Sequence, residues 1–322
     1  MILVVSLNPA VDIRYSVPEF QPGNINRPVL KEKTAGGKGL NAARVLSLLG
    51  YKPLFITGFS GGKQGEWIQS ELDCSSIPYH FQEIKEETRT CIAILSSCSQ
   101  TEVLEAGPEI SESEMKNFID LFRAKVKEAS LIILSGSLPK GVPADFYRTL
   151  GEIIKLEKKR MLLDSSGESL KYGIEASPFL IKPNLQELSQ LLKRKQLSVE
   201  EAIKGALSLC EKGVCYTLVS LGSDGAILAS EKGVWKAVLP SIEIKNPVGS
   251  GDSMLAGAAF GMQLHLHPGD LLRFACACGT ANAAEEKTGF IKESTVMELY
   301  QKIQVEQIFP EKGLDYEKGD LF

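Results

Sequence analysis

The chain has 322 residues, 43% hydrophobic and 24% charged, with a net charge of −4 at pH 7. That length can bury one large α/β core, and the mild acidity argues against a general nucleic-acid binder. No apolar run approaches the ~18 residues of a membrane span, and the start, "MILVVSLNPAVD", lacks the basic segment of a signal peptide, so we expect a cytoplasmic protein with no nucleic-acid or membrane partner.

The first apolar run, "ILVVSL" (2–7), predicts a strand, and residues 10–35 follow with β-like but mixed polarity. "TAGGKGLN" (34–41) sets glycines and Lys38 before a helical pattern at 41–50. It is not a P-loop, because Gly39 stands where Ser or Thr belongs. A lysine among glycines at a helix start suits an anion, and it equally suits a solvated surface turn.

After the strand "LFITGF" (54–59), "GFSGG" (58–62) matches the G-x-S-x-G pattern of a hydrolase nucleophile. Ser60 fits an ordinary turn into the helix "GEWIQSEL" as well, and we keep a serine hydrolase as the second functional class. Residues 88–106 again look like β-structure of mixed polarity. This segment and 10–35 could pair into a small sheet acting as a lid, or remain two edge hairpins.

A helical pattern at 112–129 leads to strands at 131–136, 160–164 and 179–183, then a helix at 199–213 and a strand at 216–222. These strands are nearly continuous apolar runs, as expected when both faces are buried. Strand–helix alternation predicts a parallel sheet sandwiched by helices, with ligands beyond the C-terminal strand ends. "KPN" (182–184) is one such end. Asn184 and Glu187, one helical turn apart, could hold a hydrated Mg²⁺, or act as a cap and a solvated acid. "SLGSDG" (220–225) is a Gly-rich turn after a strand.

"NPVGSGDSMLAGAAFG" (246–261) runs a flexible loop into an apolar helix, with Asp252 at the junction. Asp is a favoured N-cap, but the reciprocal acid of a capping box is missing, since residue 255 is Leu. Backbone N–H groups at Gly249, Ser250 and Gly251 would make an anion cradle. Cys276 and Cys278 lie in a helical pattern, and the seven scattered cysteines suit reduced thiols better than a metal site. Taken together, the cradle, the oxygen ligands and the Gly-rich turn describe phosphoryl transfer, with Asp252 as candidate base.

In this order, "AGGKGLN", "SGSLP" (135–139), "KPNLQEL" (182–188), "SLGSDG" and "VGSGDS" resemble the ribokinase-like carbohydrate kinases of the PfkB group over nearly the full length. The resemblance implies one ribokinase-like α/β domain over 1–322: a mostly parallel sheet between helices, with a β-sheet lid from about 10–35 and 88–106. It implies ATP and Mg²⁺ as cofactors, and Asp252 as base beside the Gly249, Ser250 and Gly251 N–H groups.

It further implies that Asp12, Gly36, Gly37 and Asn41 hold sugar hydroxyls, and that Lys38, Arg89, Arg27 and Ser137 bind a sugar phosphate. Lys182, Asn184, Ser220, Gly222, Gly225 and Asn282 would line the nucleotide site, with Asn184 and Glu187 ordering Mg²⁺ through water. "KTAGGKGLNAARVLS", "ETRTCIAIL", "QTEVLEAGPE" and "NPVGSGDS" are similar to members acting on ketohexose monophosphates. Tagatose 6-phosphate comes first as substrate and fructose 1-phosphate second, with a homodimer through the lid. One departure is Asn246-Pro247, where many members carry Asp-Thr beside a monovalent-cation site; potassium activation is therefore in doubt.

Overall fold

The computed structural model describes residues 1–97 and 99–308; Cys98 and the end of the 1–322 span, 309–322, lie outside the described residues. Two sheets organise the chain. The larger has ten strands in the order β14-β13-β12-β11-β10-β9-β8-β1-β4-β5. Its parallel part comprises β1 (Ile2–Ser6), β4 (Leu54–Ser60), β5 (Tyr79–Glu83), β8 (Leu131–Ser135), β9 (Arg160–Asp164), β10 (Leu180–Ile181) and β11 (Tyr216–Ser220). An antiparallel edge continues through β12 (Ala226–Ser230), β13 (Gly233–Val238) and β14 (Gln304–Ile308).

Alternation along each strand divides the core. Ile2, Val4, Ile133 and Leu162 face one side, where α1 (Lys38–Leu48), α2 (Gly62–Cys74), α8 (Ser250–Gln263), α9 (Pro268–Ala283) and α10 (Glu293–Lys302) pack. Leu3, Val5, Ile132 and Leu163 face the other. They meet α3 (Glu112–Glu128), α4 (Phe146–Leu156), α5 (Gly167–Ile174), α6 (Leu185–Leu191) and α7 (Val199–Glu211). Both faces are therefore dry, which is why these strands carry apolar runs rather than alternation.

The smaller sheet takes the order β3-β2-β6-β7, from β2 (Ala10–Ser16), β3 (Leu30–Gly36), β6 (Arg89–Leu95) and β7 (Gln100–Leu104). The two segments of mixed polarity thus pair with each other, apart from the main sheet. Polarity is mixed because one face turns to a cavity and the other to solvent.

Helix α8 is buried along nearly its whole length, against α1 and α9. Small residues make that packing close: a Cβ on Gly257 would stand 2.9 Å from Cys278 Sγ. The apolar helix is therefore a fixed post, and its N-terminus emerges at the C-terminal strand ends.

Candidate active site

A cavity of about 510 Å³ opens between the small sheet and the C-terminal ends of the main strands. Among its lining residues are Asp12, Gly37, Lys38, Asn41, Arg89, Ser137, Lys182, Asn184, Glu187, Ser220, Gly249, Gly251 and Asp252, all singled out from the sequence. Gly36, Arg27, Ser250, Gly222, Gly225 and Asn282 lie outside that lining.

The first turn of α8 supplies the acid. Its N-cap is Gly249, in the left-handed region at φ 82°, and a Cβ there would meet Gly289 N and Thr288 Cγ2 at 2.9 Å. Asp252 is therefore the third helical residue, not the cap. Its side chain leaves the helix, and Oδ2 accepts from Asn41 Nδ2 at 2.9 Å. Burial, then repulsion from Asp164, raises its pKa to about 6 against the opposing pull of Lys38, Asn41 and Lys182. A carboxylate near 6 is charged at neutral pH and basic enough to take a proton.

The cradle differs from expectation at one residue. Ser250 N–H donates to Pro247 O (3.2 Å) and Ser250 Oγ accepts from Asn282 Nδ2 (3.2 Å), so Ser250 locks the loop. Gly251 and Asp252 lie in the first turn, where N–H groups have no carbonyl of their own helix to bond. Asn282 is fully buried, donates also to Val248 O (2.8 Å) and accepts from Gly289 N (2.7 Å). It holds the loop from behind and does not face the cavity. Asn246, at the departure from the family pattern, donates to Glu286 O (3.0 Å) and Thr288 Oγ1 (3.1 Å).

Asp164, at the end of β9, was not singled out from the sequence, yet it anchors a charged cluster. It is fully buried, with Lys38 Nζ 2.9 Å from Oδ1 and Lys182 Nζ 3.1 Å from Oδ2. Burial alone would raise its pKa, but Lys182 and Lys38 outweigh that and hold it below the usual carboxylate range. Burial likewise opposes the Lys38 charge, but Asp164, Asp252 and Glu187 prevail and raise its pKa. Lys38 thus belongs with Asp164 and with Glu187, 3.7 Å away. The available signal for Asp164 was its place at a C-terminal strand end.

Asn184 and Glu187 form a capping box on α6: Glu187 N–H donates to Asn184 Oδ1 (2.8 Å) and Asn184 N–H to Glu187 Oε2 (2.9 Å). The capping alternative is thus real for both residues. Both still line the cavity, and Glu187 Oε1, the oxygen outside the capping box, faces Lys38 Nζ at 3.7 Å. A carboxylate that reaches the cavity by one oxygen suits a Mg²⁺ that retains its waters, with the Lys38 ammonium as its neighbour.

On the small sheet, Asp12 sits over the Gly36–Gly37 turn. A Cβ on Gly36 would stand 1.9 Å from Asp12 Oδ2, so only glycine leaves room for that carboxylate. Burial raises the Asp12 pKa to about 6, opposed by the Gly37 N–H, Arg89 and Arg44. Arg89 is braced by Asn8 O (2.9 Å from Nη2) and Glu105 O (2.9 Å from Nη1) and lines the cavity. Ser137 Oγ accepts from Asn8 Nδ2 at 3.2 Å. Arg27 is exposed in the β2–β3 connection. Gly222 and Gly225 frame the tight turn between β11 and β12, beside Ser220.

Ser60 is buried, and its Oγ accepts only a long bond from Gln69 Nε2 (3.4 Å). Among the described residues no histidine bonds to it. It ends β4 ahead of α2, as an ordinary strand-to-helix turn, and the structure gives the hydrolase reading no support.

The cavity therefore joins a helix N-terminus, a poised carboxylate and two ammonium groups to a sheet carrying Asp12 and Arg89. The model of pfkB family carbohydrate kinases matches residues 1–295. The chain belongs to that family. It is a sugar-phosphate kinase with the ribokinase-like fold.

A curated tagatose-6-phosphate kinase of Staphylococcus epidermidis is 40% identical over 311 residues, spanning 96% of this chain and all of that protein. Phosphofructokinase-2 of Escherichia coli, solved with potassium, is 26% identical with a TM-score of 0.87, over 94% of this chain and 98% of its own. A Thermotoga maritima structure described as a possible 1-phosphofructokinase is 25% identical with a TM-score of 0.88, over 96% and 99%.

Proposed function

We propose that the protein transfers the γ-phosphoryl group of ATP to the 1-hydroxyl of D-tagatose 6-phosphate, forming D-tagatose 1,6-bisphosphate and ADP. The observation that carries the chemistry is Asp252: a carboxylate in the cavity, poised near 6, in the first turn of α8. The relative at 40% identity favours the substrate.

Asp252 takes the proton of the attacking hydroxyl as its oxygen bonds to the γ-phosphorus and the bond to ADP breaks. The Gly251 and Asp252 N–H groups and the helix dipole stabilise charge on the transferring group. Lys38 and Lys182, already close to that position, neutralise it further. A Cβ on Gly251 would stand 3.2 Å from Lys182 Nζ, which supports this role for the lysine. Glu187, with Asn184 fixing its rotamer, would hold Mg²⁺ through water. When bound, the ion would offset phosphate charge. Ser220 and the adjoining turn would take the nucleotide.

The small sheet would act as the lid, bringing Asp12 to sugar hydroxyls beside Asn41 of α1, and Arg89 to the 6-phosphate beside Ser137, which follows β8. We further propose a homodimer through this sheet, supported by Val103, which is 56% exposed on its edge strand and lies outside the cavity lining. Free thiols at the six described cysteines favour a cytoplasmic setting. The second reading is fructose 1-phosphate phosphorylated at its 6-hydroxyl, favoured by the Thermotoga maritima neighbour. Phosphorus NMR of the product tests the site of transfer: a new ester on C1 supports the proposal, and one on C6 supports the alternative.

A further inference from the structure

Arg44 is used by none of the steps above, although its guanidinium joins Asn41, which bonds Asp252, to the segments at Ala35 and Thr288. From α1, Nη1 donates to Asn41 Oδ1 (3.0 Å) and to Thr288 O (3.2 Å). Nη2 donates to Ala35 O, next to the Gly36–Gly37 turn. The Phe290 ring lies 5.1 Å from the cation and closes its remaining face. Burial lowers its pKa to about 10, and Asp12, Glu71 and Asp252 oppose that fall, so it stays charged at neutral pH.

The consequence lies in the Asn41 amide. An amide has one accepting end and one donating end, whereas a guanidinium can only donate. Arg44 therefore claims the Asn41 oxygen, and the NH₂ group must face Asp252, as it does at 2.9 Å. A flipped amide would set its oxygen against the carboxylate and its NH₂ against the guanidinium. Through Thr288 the same cation also steadies the 285–290 loop, which Asn246 and Asn282 tie to the α8 loop.

We propose that Arg44 is a positioning residue for phosphoryl transfer: it fixes the Asn41 amide so that Asn41 donates to Asp252 and aims its carboxylate. The inference rests on Asp252 being the base. Asp252 is also faced by Asp164 from β9, by Lys38 and Arg44 from α1 and by Lys182 beyond β10, so a direct field effect must be separated from the amide relay.

Arg44 also lowers the pKa of Asp12 directly. The test therefore compares R44M, N41A, R44M/N41A and R44K with their parent in an Asp12→Asn background, where only Asp252 of the two carboxylates titrates near 6. Each is measured by kcat, both KM values and the pH dependence of kcat/KM, with thermal melting. R44M is expected to lower kcat roughly 10- to 100-fold with little change in the KM for ATP. Losing a hydrogen bond to the charged form raises a carboxylate pKa, so the acid limb should move up by about half to one pH unit. The double variant should move no further than N41A, and R44K, which keeps the charge but lacks the planar fork, should leave the limb raised.

An unmoved limb in R44M, a further shift in the double variant, or full recovery in R44K would overturn the proposal. If R44M does not melt cooperatively, R44K and R44K/N41A make the same comparison. D252N separates the two levels. Retained turnover there removes the base assignment itself. Lost turnover with an unmoved R44M limb removes only the role of Arg44.

Discussion

Asn41 Nδ2 donates to Asp252 Oδ2 at 2.9 Å across 211 residues of sequence, joining the first glycine-rich motif to the last. The pair shows why both motifs converge on one cavity. Helix α1 brings the amide, helix α8 brings the acid, and each is fixed by its packing on the same side of the main sheet.

Asp252→Asn removes the proton acceptor while keeping the size of the side chain. Turnover is expected to fall by about 10²-fold or more, the usual scale for a positioned base. Affinity for ATP, measured by calorimetry, should persist. Near-normal turnover would exclude the role.

Asp12 and Asp252 are both raised to about 6, so the free enzyme gains two protons as pH falls through that region. Protonated Asp252 cannot accept a proton, and protonated Asp12 loses its charged acceptor. The kcat/KM for sugar phosphate should therefore fall below pH 6 more steeply in wild type than in Asp12→Asn. Ionisation of the substrate is common to both and cancels. Equal slopes would contradict the assignment of Asp12.

Arg89→Ala removes charged hydrogen bonds from the small-sheet wall. A loss of about 1.5–3 kcal/mol is expected, which is roughly a 10- to 100-fold rise in the KM for sugar phosphate. The KM for ATP should change far less. Steady-state kinetics with each substrate varied would show this, and equal effects on both would count against phosphate binding.

Asp164→Ala would leave Lys38 and Lys182 without their shared counter-charge, with Lys182 only 4% exposed. Breaking a buried ion pair from one side costs about 3–5 kcal/mol. Urea unfolding should report a loss of that order. A change below about 1 kcal/mol would mean that water or rearrangement replaces Asp164.

Strands buried on both faces were legible because the apolar runs of β1, β4, β8, β9 and β11 have no other economical reading. The run at 179–183 is longer than β10, which spans only Leu180–Ile181, because Lys182 turns from the sheet to meet Asp164. The edge strand β14 was not read, since "QVEQI" is polar and largely exposed, and neither was its neighbour β13. In the site, Gly249, Gly251 and Asp252 were legible because a loop-to-helix junction has a local signature. Asp164 and Arg44 were not. Lys38 lies 126 residues from Asp164 and Thr288 lies 244 from Arg44, pairings that leave no local pattern, and the nearer contact of Arg44 with Asn41 looks like any i, i+3 pair on a helix. Ser250 and Asn282 were assigned to ligand contact, whereas their hydrogen bonds run to the loop itself.

The most direct test of the account is a coupled ADP-release assay with Mg·ATP, comparing kcat/KM for tagatose 6-phosphate, fructose 6-phosphate, fructose 1-phosphate and unphosphorylated sugars. The account predicts a clear preference for tagatose 6-phosphate. Preference for fructose 1-phosphate would keep the mechanism and replace the substrate, and no ADP release with any of them would contradict the account.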